Sequence, residues 1–128
     1  MRFLLDSHAL LWAVDDPTRL GAQAIATLQD PNNELLVSAA TIWEIAIKVG
    51  LGKLSLSRSY EDWMAQAITD LGTTVLPITV TYVALQATLP DHHRDPFDRM
   101  LIVQAQCEAI PIVSSDVIFE RYGIARLW

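Results

Sequence analysis

The chain has 128 residues, which fits one domain, and 52% of them are hydrophobic, which predicts a large core with some apolar surface left for a partner. No stretch reaches the roughly 20 apolar residues of a spanning helix, so we expect no membrane segment. The carboxylate of Asp6 comes too early for a signal peptide. Together with the single cysteine, which excludes an internal disulfide, this predicts a cytoplasmic protein. The net charge of −6 argues against nucleic-acid binding unless many of the acids hold cations.

Short apolar strands alternate with helices along the chain. In chain order the sequence predicts a strand at 2–5, helices at 8–15 and 21–29, a strand at 35–38, helices at 41–49 and 60–71, a strand at 74–76, helices at 80–88 and 96–108, a strand at 110–113, a short helix opening at 115–116, and a possible edge strand at 125–127. This alternation predicts one α/β domain, an α/β/α sandwich around a mostly parallel sheet. Ligands of such sheets bind beyond the carboxyl ends of the strands, where the strand order reverses.

Local signals indicate where several helices begin. Ser7 is placed to cap the first helix, and Ser59 to cap the helix at 60–71, with Asp62 completing a capping box. Pro96 suits the first position of the helix at 96–108. These signals are encoded in a few neighbouring residues, so they are expected to survive in the folded chain.

Four carboxylates lie next to predicted strands. Asp6 ends the first strand, Glu44 lies in the first turn of the helix after the second strand, and Asp116 directly follows the fourth strand. If the first and fourth strands are neighbours, these three acids emerge at one edge of the sheet. Asp98 lies in the first turn of the helix before the fourth strand, and joins them only if its preceding loop folds back over that edge.

Each of these acids also has an ordinary structural explanation. Thr41 with Glu44, and Asp95 with Asp98, have the spacing of capping boxes, while Asp6 and Asp116 suit helix caps. As a group, however, clustered carboxylates repel one another in a pocket of low dielectric, and cations or protons must compensate them. Oxygen ligands without histidine or cysteine partners indicate Mg²⁺, or Mn²⁺ as a substitute.

Four segments resemble VapC-type PIN-domain toxins: "FLLDSHALLW", "LLVSAATIWEIAIKVGLGKL", "HHRDPFDRMLIVQA" and "IPIVSSDVIFERYGI". They cover almost the whole chain in the order that the family has, and "DPFDRMLIVQA" is the most specific. The resemblance implies a single PIN domain at 1–128 and a metal-dependent endoribonuclease, the toxin of a toxin–antitoxin pair, that leaves a 5′-phosphate and a 3′-hydroxyl. It implies that the catalytic and metal-binding residues are Asp6, Glu44, Asp98 and Asp116, and it supplies the loop placement of Asp98.

Further residues near these acids have two explanations each. Ser7 either contacts a ligand or caps its helix, and Asp95 either joins the metal site or caps its own helix. Lys48 either contacts RNA or pairs with Glu44 four residues earlier, and Arg99 either holds a phosphate or is solvated or paired with a carboxylate. The histidines His8, His92 and His93 lack the spacing of zinc ligands and are expected to be loop or helix-end residues.

The predicted helix at 41–49 is apolar almost all round, with only Thr41, Glu44 and Lys48 as polar side chains. Such a helix is buried in its own core or against another chain. We expect Trp43 and Cys107 in the core, and we predict a homodimer with an apolar groove for an antitoxin segment. The resemblance agrees, since such toxins are inhibited by a partner that inserts a basic side chain among the acids.

Rival functions make different demands on the sequence. A phosphoacceptor receiver domain needs an acidic pair at the first strand and a lysine after the fifth, but Ser7 follows Asp6 and no lysine follows Lys53. A phosphatase of the haloacid-dehalogenase type needs a second aspartate at position 8, where this chain has His8. A non-catalytic α/β interaction module, with acids that only cap helices, stays open, and it predicts melting that does not depend on Mg²⁺.

Overall fold

The computed structural model describes all 128 residues and contains five strands and six α-helices. The strands are β1 (Arg2–Leu5), β2 (Glu34–Ser38), β3 (Thr73–Leu76), β4 (Ile112–Val113) and β5 (Arg126–Leu127). The helices are α1 (Ser7–Asp15), α2 (Ala22–Gln29), α3 (Ala39–Gly50), α4 (Tyr60–Asp70), α5 (Val80–Gln86) and α6 (Pro96–Glu108). Two 3₁₀ turns, Pro17–Arg19 and Val117–Tyr122, complete the fold, and none of the helices has the length and apolar character needed to cross a membrane.

The strands form one fully parallel sheet in the order β3-β2-β1-β4-β5. The chain moves outward from β1 through β2 to β3 and then returns to the other side of β1 for β4. The strand order therefore reverses between β1 and β4, where Leu5 pairs with Val113. This arrangement confirms the predicted α/β sandwich. The first and fourth strands are neighbours, which is the condition under which Asp6 and Asp116 emerge at one edge.

Both faces of the sheet are covered, as the apolar character of its strands predicts. Phe3 and Leu5 point to one face, against α1, α2 and α4, where Trp63 is fully buried. Leu4 points to the opposite face, against α6 and the 3₁₀ turn after β4. Successive residues of β1 thus belong to different halves of the core, which holds the carboxyl end of this strand rigidly in the middle of the molecule.

Two helices begin earlier than the sequence analysis placed them. Asp6, not Ser7, caps α1, because its Oδ1 accepts the Ala9 backbone N–H at 2.8 Å. Ser38 caps α3 by accepting the Ala40 N–H at 3.0 Å, so this helix begins at Ala39. The predicted capping box between positions 41 and 44 is therefore wrong, and position 44 lies in the second helical turn instead of the first.

Two predicted core residues lie at the surface. Trp43 is 58% exposed, although its ring meets that of Phe97 on α6 edge-on. Cys107 is exposed near the end of α6. Both predictions are wrong for the same reason. The apolar character of a helical side chain does not show whether another element of the same chain covers it. The other helix and strand predictions are confirmed to within two residues at each end.

Candidate functional site

Asp6 and Asp116 lie at the carboxyl ends of the neighbouring strands β1 and β4, where the strand order reverses. Asp6 is 5% exposed, and burial raises its pKa, although hydrogen bonds from Ser114 and Ala9 lower it in part and the charge of Asp116 raises it further. Asp116 is exposed and caps the 3₁₀ turn by accepting the Ile118 N–H at 3.0 Å. The sheet therefore delivers one buried and one solvent-facing carboxylate to the same place.

Asp98 reaches this edge from the first turn of α6. Asp95, three residues earlier, caps this helix. One of its carboxylate oxygens accepts the backbone N–H groups of Phe97 at 2.8 Å and of Asp98 at 3.1 Å. Burial raises the pKa of Asp98 to about 6, and the charges of Asp95 and Glu44 add to this while His93 opposes it. A carboxyl group whose pKa is raised from 3.8 to about 6 marks a candidate functional site.

Glu44 comes to the same edge from the second turn of α3. It is 5% exposed, and its Oε2 lies 3.0 Å from Nζ of Lys48, which is the ion pair that the i,i+4 spacing predicted. Its charge acts on Asp98, so the two side chains are neighbours. The four predicted acids are thus brought together, two of them buried, although they come from positions as far apart as 6 and 116.

The tightest group of donor atoms contains a residue that the sequence analysis set aside. His93, Asp98 and Asp116 each offer one ligand atom, and these three atoms all lie within 4.8 Å of one another. The sequence pattern alone indicates no role for this histidine beside the acids. The available signal was the position of His93 inside the motif "HHRDPFDRM", five residues before Asp98.

The donor set fits a divalent cation. Carboxylate oxygens predominate, as they do in magnesium and manganese sites, and one imidazole nitrogen lies beside them. The raised pKa values of Asp6 and Asp98 show that burial penalises their negative charges. A bound cation would relieve that penalty, because it favours the ionised carboxylates.

The accessory residues divide into two groups. Ser7, Lys48 and Glu44 line a pocket of about 240 Å³ beside the acids, together with His8 and Lys53. Arg99, by contrast, is engaged by the main chain, since its guanidinium donates four hydrogen bonds of 3.1–3.3 Å to the backbone carbonyls of Gln86, Leu89, Pro90 and His93. The guanidinium thus holds the loop before α6 and is neither simply solvated nor paired with a carboxylate. A contact of Arg99 with a phosphate stays a prediction.

The family assignment now has independent support, because the PIN domain family model matches residues 3–125. The chain belongs to the PIN domain family. The resemblance that the sequence motifs indicated is therefore confirmed for the family and for the fold. No curated protein matches the chain.

Solved structures share this fold over almost their whole length. A chain of VapBC2 from Rickettsia felis, bound to a DNA fragment from its promoter, has a TM-score of 0.74 and 12% identity, with 98% of this chain and 97% of that chain covered. A chain of VapBC-1 from nontypeable Haemophilus influenzae has a TM-score of 0.66 and 19% identity, with 98% and 96% covered. FitAcB from Neisseria gonorrhoeae gives 0.63 and 17% identity, with 97% and 95% covered.

Proposed function

We propose that this PIN-domain protein is a metal-dependent endoribonuclease and acts as the toxin of a VapBC-like toxin–antitoxin pair. The observation that carries the proposal is the convergence of Asp6, Glu44, Asp98 and Asp116 at the carboxyl edge of the sheet, with burial raising the pKa of two of them. Acids that only capped helices would have no reason to meet. Asp6, Asp95 and Asp116 do cap helical segments, but Glu44 and Asp98 do not.

The four acids are the proposed holders of Mg²⁺, with Mn²⁺ as a substitute. The short distances between donor atoms favour Asp98 and Asp116 as the principal ligands, and Asp6 and Glu44 are the two buried acids of the group. A bound divalent ion supplies Lewis-acid stabilisation of charge on the scissile phosphate and lowers the pKa of water for hydrolysis. The protein's own contribution is a rigid, partly dehydrated cluster of negative charge that binds the ion.

RNA needs cationic contacts that an acidic protein has in short supply. Four of the seven arginines already hold other protein groups: Arg2, Arg19, Arg99 and Arg126. The only two lysines, Lys48 and Lys53, both line the pocket beside Glu44. We propose that this pocket receives a backbone phosphate of the substrate, since it puts both lysine charges within reach of a strand bound at the acids.

A second copy of the chain is the proposed occupant of an apolar surface formed by α3, α5 and α6. Trp43, Ile78, Val83 and Phe97 line a pocket of about 240 Å³ there, and Val80 is 87% exposed nearby. Large apolar side chains grouped on one surface favour association. Light scattering is expected to give twice the chain mass of 14.3 kDa, and Trp43→Glu is expected to halve it, while Ala26→Glu on α2 leaves the dimer intact.

An antitoxin protein is the proposed second partner. Structures with this fold include VapBC and FitAB toxin–antitoxin complexes, and this chain has a further apolar groove of about 310 Å³ lined by Pro17, Leu20, Ile25, Leu28 and Leu71. An amphipathic segment docked in such a groove is a familiar mode of recognition. A basic side chain of the same partner, placed among the acids, would compete with the cation for the site.

The test is RNA cleavage by the purified protein with Mg²⁺ or with EDTA. Wild type is expected to cut structured RNAs only when the metal is present, and Asp6→Asn and Asp98→Asn are expected to be inactive but folded. Asp70→Asn, an exposed acid at the end of α4, is the matched control and should cut at the wild-type rate. Wild-type cleavage by Asp98→Asn would refute the site, and melting unaffected by Mg²⁺ would favour the non-catalytic module.

A further inference from the structure

His93 is held by two hydrogen bonds that define the state of its imidazole ring. Nδ1 accepts the backbone N–H of Arg94 at 3.0 Å, and Nε2 lies 2.8 Å from Oδ2 of Asp98. A ring nitrogen that accepts a hydrogen bond carries no proton, so the neutral ring has its proton on Nε2. The Nε2–H group therefore donates to the Asp98 carboxylate.

We propose that His93 is a positioning residue that fixes the Asp98 carboxylate for the cation. The proposal rests on the proposed function in taking Asp98 as a metal ligand. The donor from His93 engages Oδ2, while Oδ1 of Asp98 accepts no hydrogen bond within the protein. One oxygen is thus held in place and the other has no partner within the protein, while ligand atoms of Asp98 and Asp116 lie within 4.8 Å of each other. Hydrogen bonds to a liganding side chain orient it, and removal of such a partner typically costs 10–100-fold in metal affinity.

The loop that carries His93 is itself immobilised. Arg99 donates to the carbonyls of His93 and Pro90, among others, and the Tyr122 hydroxyl donates to the Pro90 carbonyl at 2.7 Å. The same hydroxyl accepts the His92 N–H at 2.9 Å, and the His92 ring packs edge-on against Tyr122. The imidazole of His93 is therefore delivered to Asp98 by a backbone with few degrees of freedom, as a positioning role requires.

Two residues of the motif divide the work on Asp98. Asp95 accepts the backbone N–H of Asp98 and so holds its main chain, whereas His93 holds its side chain. A free carboxylate would lose rotational freedom on binding the cation. The bond from His93 removes that freedom beforehand, so less is lost on binding.

The test compares three variants for binding of Mg²⁺ and Mn²⁺ by calorimetry, without RNA. His93→Asn loses the donor at the Nε2 position and is expected to bind both ions about 10–100-fold more weakly. His93→Gln places an amide N–H near that position and is expected to stay within a few-fold of wild type. Asp70→Asn is the matched control, since this exposed acid lies at the end of α4, and it should bind like wild type.

A second readout uses the metal-free protein. Nitrogen NMR of the His93 ring is expected to show the Nε2–H tautomer, and an Nδ1–H tautomer would overturn the inference. Equal metal affinity of His93→Asn and wild type would overturn it too, as would a His93→Gln variant as weak as His93→Asn, because the ring itself would then be the ligand. In those cases wild-type cleavage leaves the proposed function intact, whereas a wild-type protein that binds neither ion overturns both.

Discussion

Replacement of Asp98 by asparagine is expected to stabilise the metal-free protein while destroying its response to Mg²⁺. The Asp98 carboxyl group has a pKa of about 6 against an ordinary value of 3.8, mainly because it is buried. Above pH 6 the folded chain therefore contains a carboxylate that is disfavoured relative to the unfolded chain. Asparagine has the same shape, keeps an oxygen for the His93 Nε2–H, and carries no charge.

The size and the pH dependence of this effect follow from the two pKa values. At 1.36 kcal/mol for each pKa unit, the difference corresponds to about 3 kcal/mol as an upper limit. The side chain keeps 23% exposure, so solvent screening reduces this, and we expect about 1–2 kcal/mol at pH 7.5. Because the folded pKa is raised, the penalty is absent below about pH 4, grows as the pH rises toward 6, and is roughly half complete at pH 5.

The assay is urea unfolding of wild type and Asp98→Asn in EDTA at pH 5 and at pH 7.5. The variant should be more stable at both values, with about twice the advantage at pH 7.5. In thermal unfolding this corresponds to a rise of roughly 4–8 °C for a chain of this size. With Mg²⁺ added in place of EDTA, the melting temperature of wild type should rise, and that of the variant should change little.

A variant less stable than wild type at pH 7.5 in EDTA would refute the reasoning, since it would mean that Asp98 contributes favourable contacts larger than its burial penalty. An advantage independent of pH would point to packing and not to ionisation. Asp70→Asn is again the matched control, because this exposed acid should show no comparable gain.

Three further substitutions test other parts of the structure. Arg99→Lys keeps the charge but loses most of the four carbonyl contacts, so urea unfolding should show a free energy of unfolding lower by about 2 kcal/mol. An unchanged urea midpoint would contradict the role of Arg99 in holding the loop before α6. Trp63→Phe removes the 2.9 Å bond from Nε1 to Asp15 and some buried volume, for an expected loss of about 2 kcal/mol by the same method. Lys48→Met should weaken RNA binding in EDTA, measured by anisotropy. It should also reduce the slope of the logarithm of the binding constant against the logarithm of the salt concentration by about one, and an unaltered slope would show that Lys48 does not contact RNA.

Half of the candidate site was readable from strand ends alone. Asp6 directly follows β1 and Asp116 comes three residues after β4. The carboxyl ends of parallel strands meet at one edge, so their proximity needed only the pairing of β1 with β4. Asp98 was different. Its place depends on the loop at 90–95, which Arg99 and Tyr122 fold back through bonds to main-chain carbonyls that no pattern of side chains reveals.

The errors have physical causes as well. Glu44 was placed one turn too early, because Ser38 outcompeted Thr41 as the cap of α3. Trp43 was assigned to the core, although the apolar character of α3 fits a helix covered by its own chain and one covered by another chain equally well. The role of His93 does not follow from the spacing of zinc ligands along the chain. Such spacing identifies direct metal ligands, and it does not reveal a hydrogen-bond donor that orients another ligand.

The sequence by itself determined the alternation of strands and helices, most helix ends and the identity of the acids, because these depend on hydrophobic periodicity and on capping within a few residues. The tertiary structure alone decided which side chains are dehydrated and which backbone groups they hold. Burial raises the pKa of Asp98, Arg99 donates to four backbone carbonyls, and His93 contacts Asp98. These outcomes depend on the packing of segments far apart in the chain, where the energy of a contact is set by its surroundings and not by its neighbours in sequence.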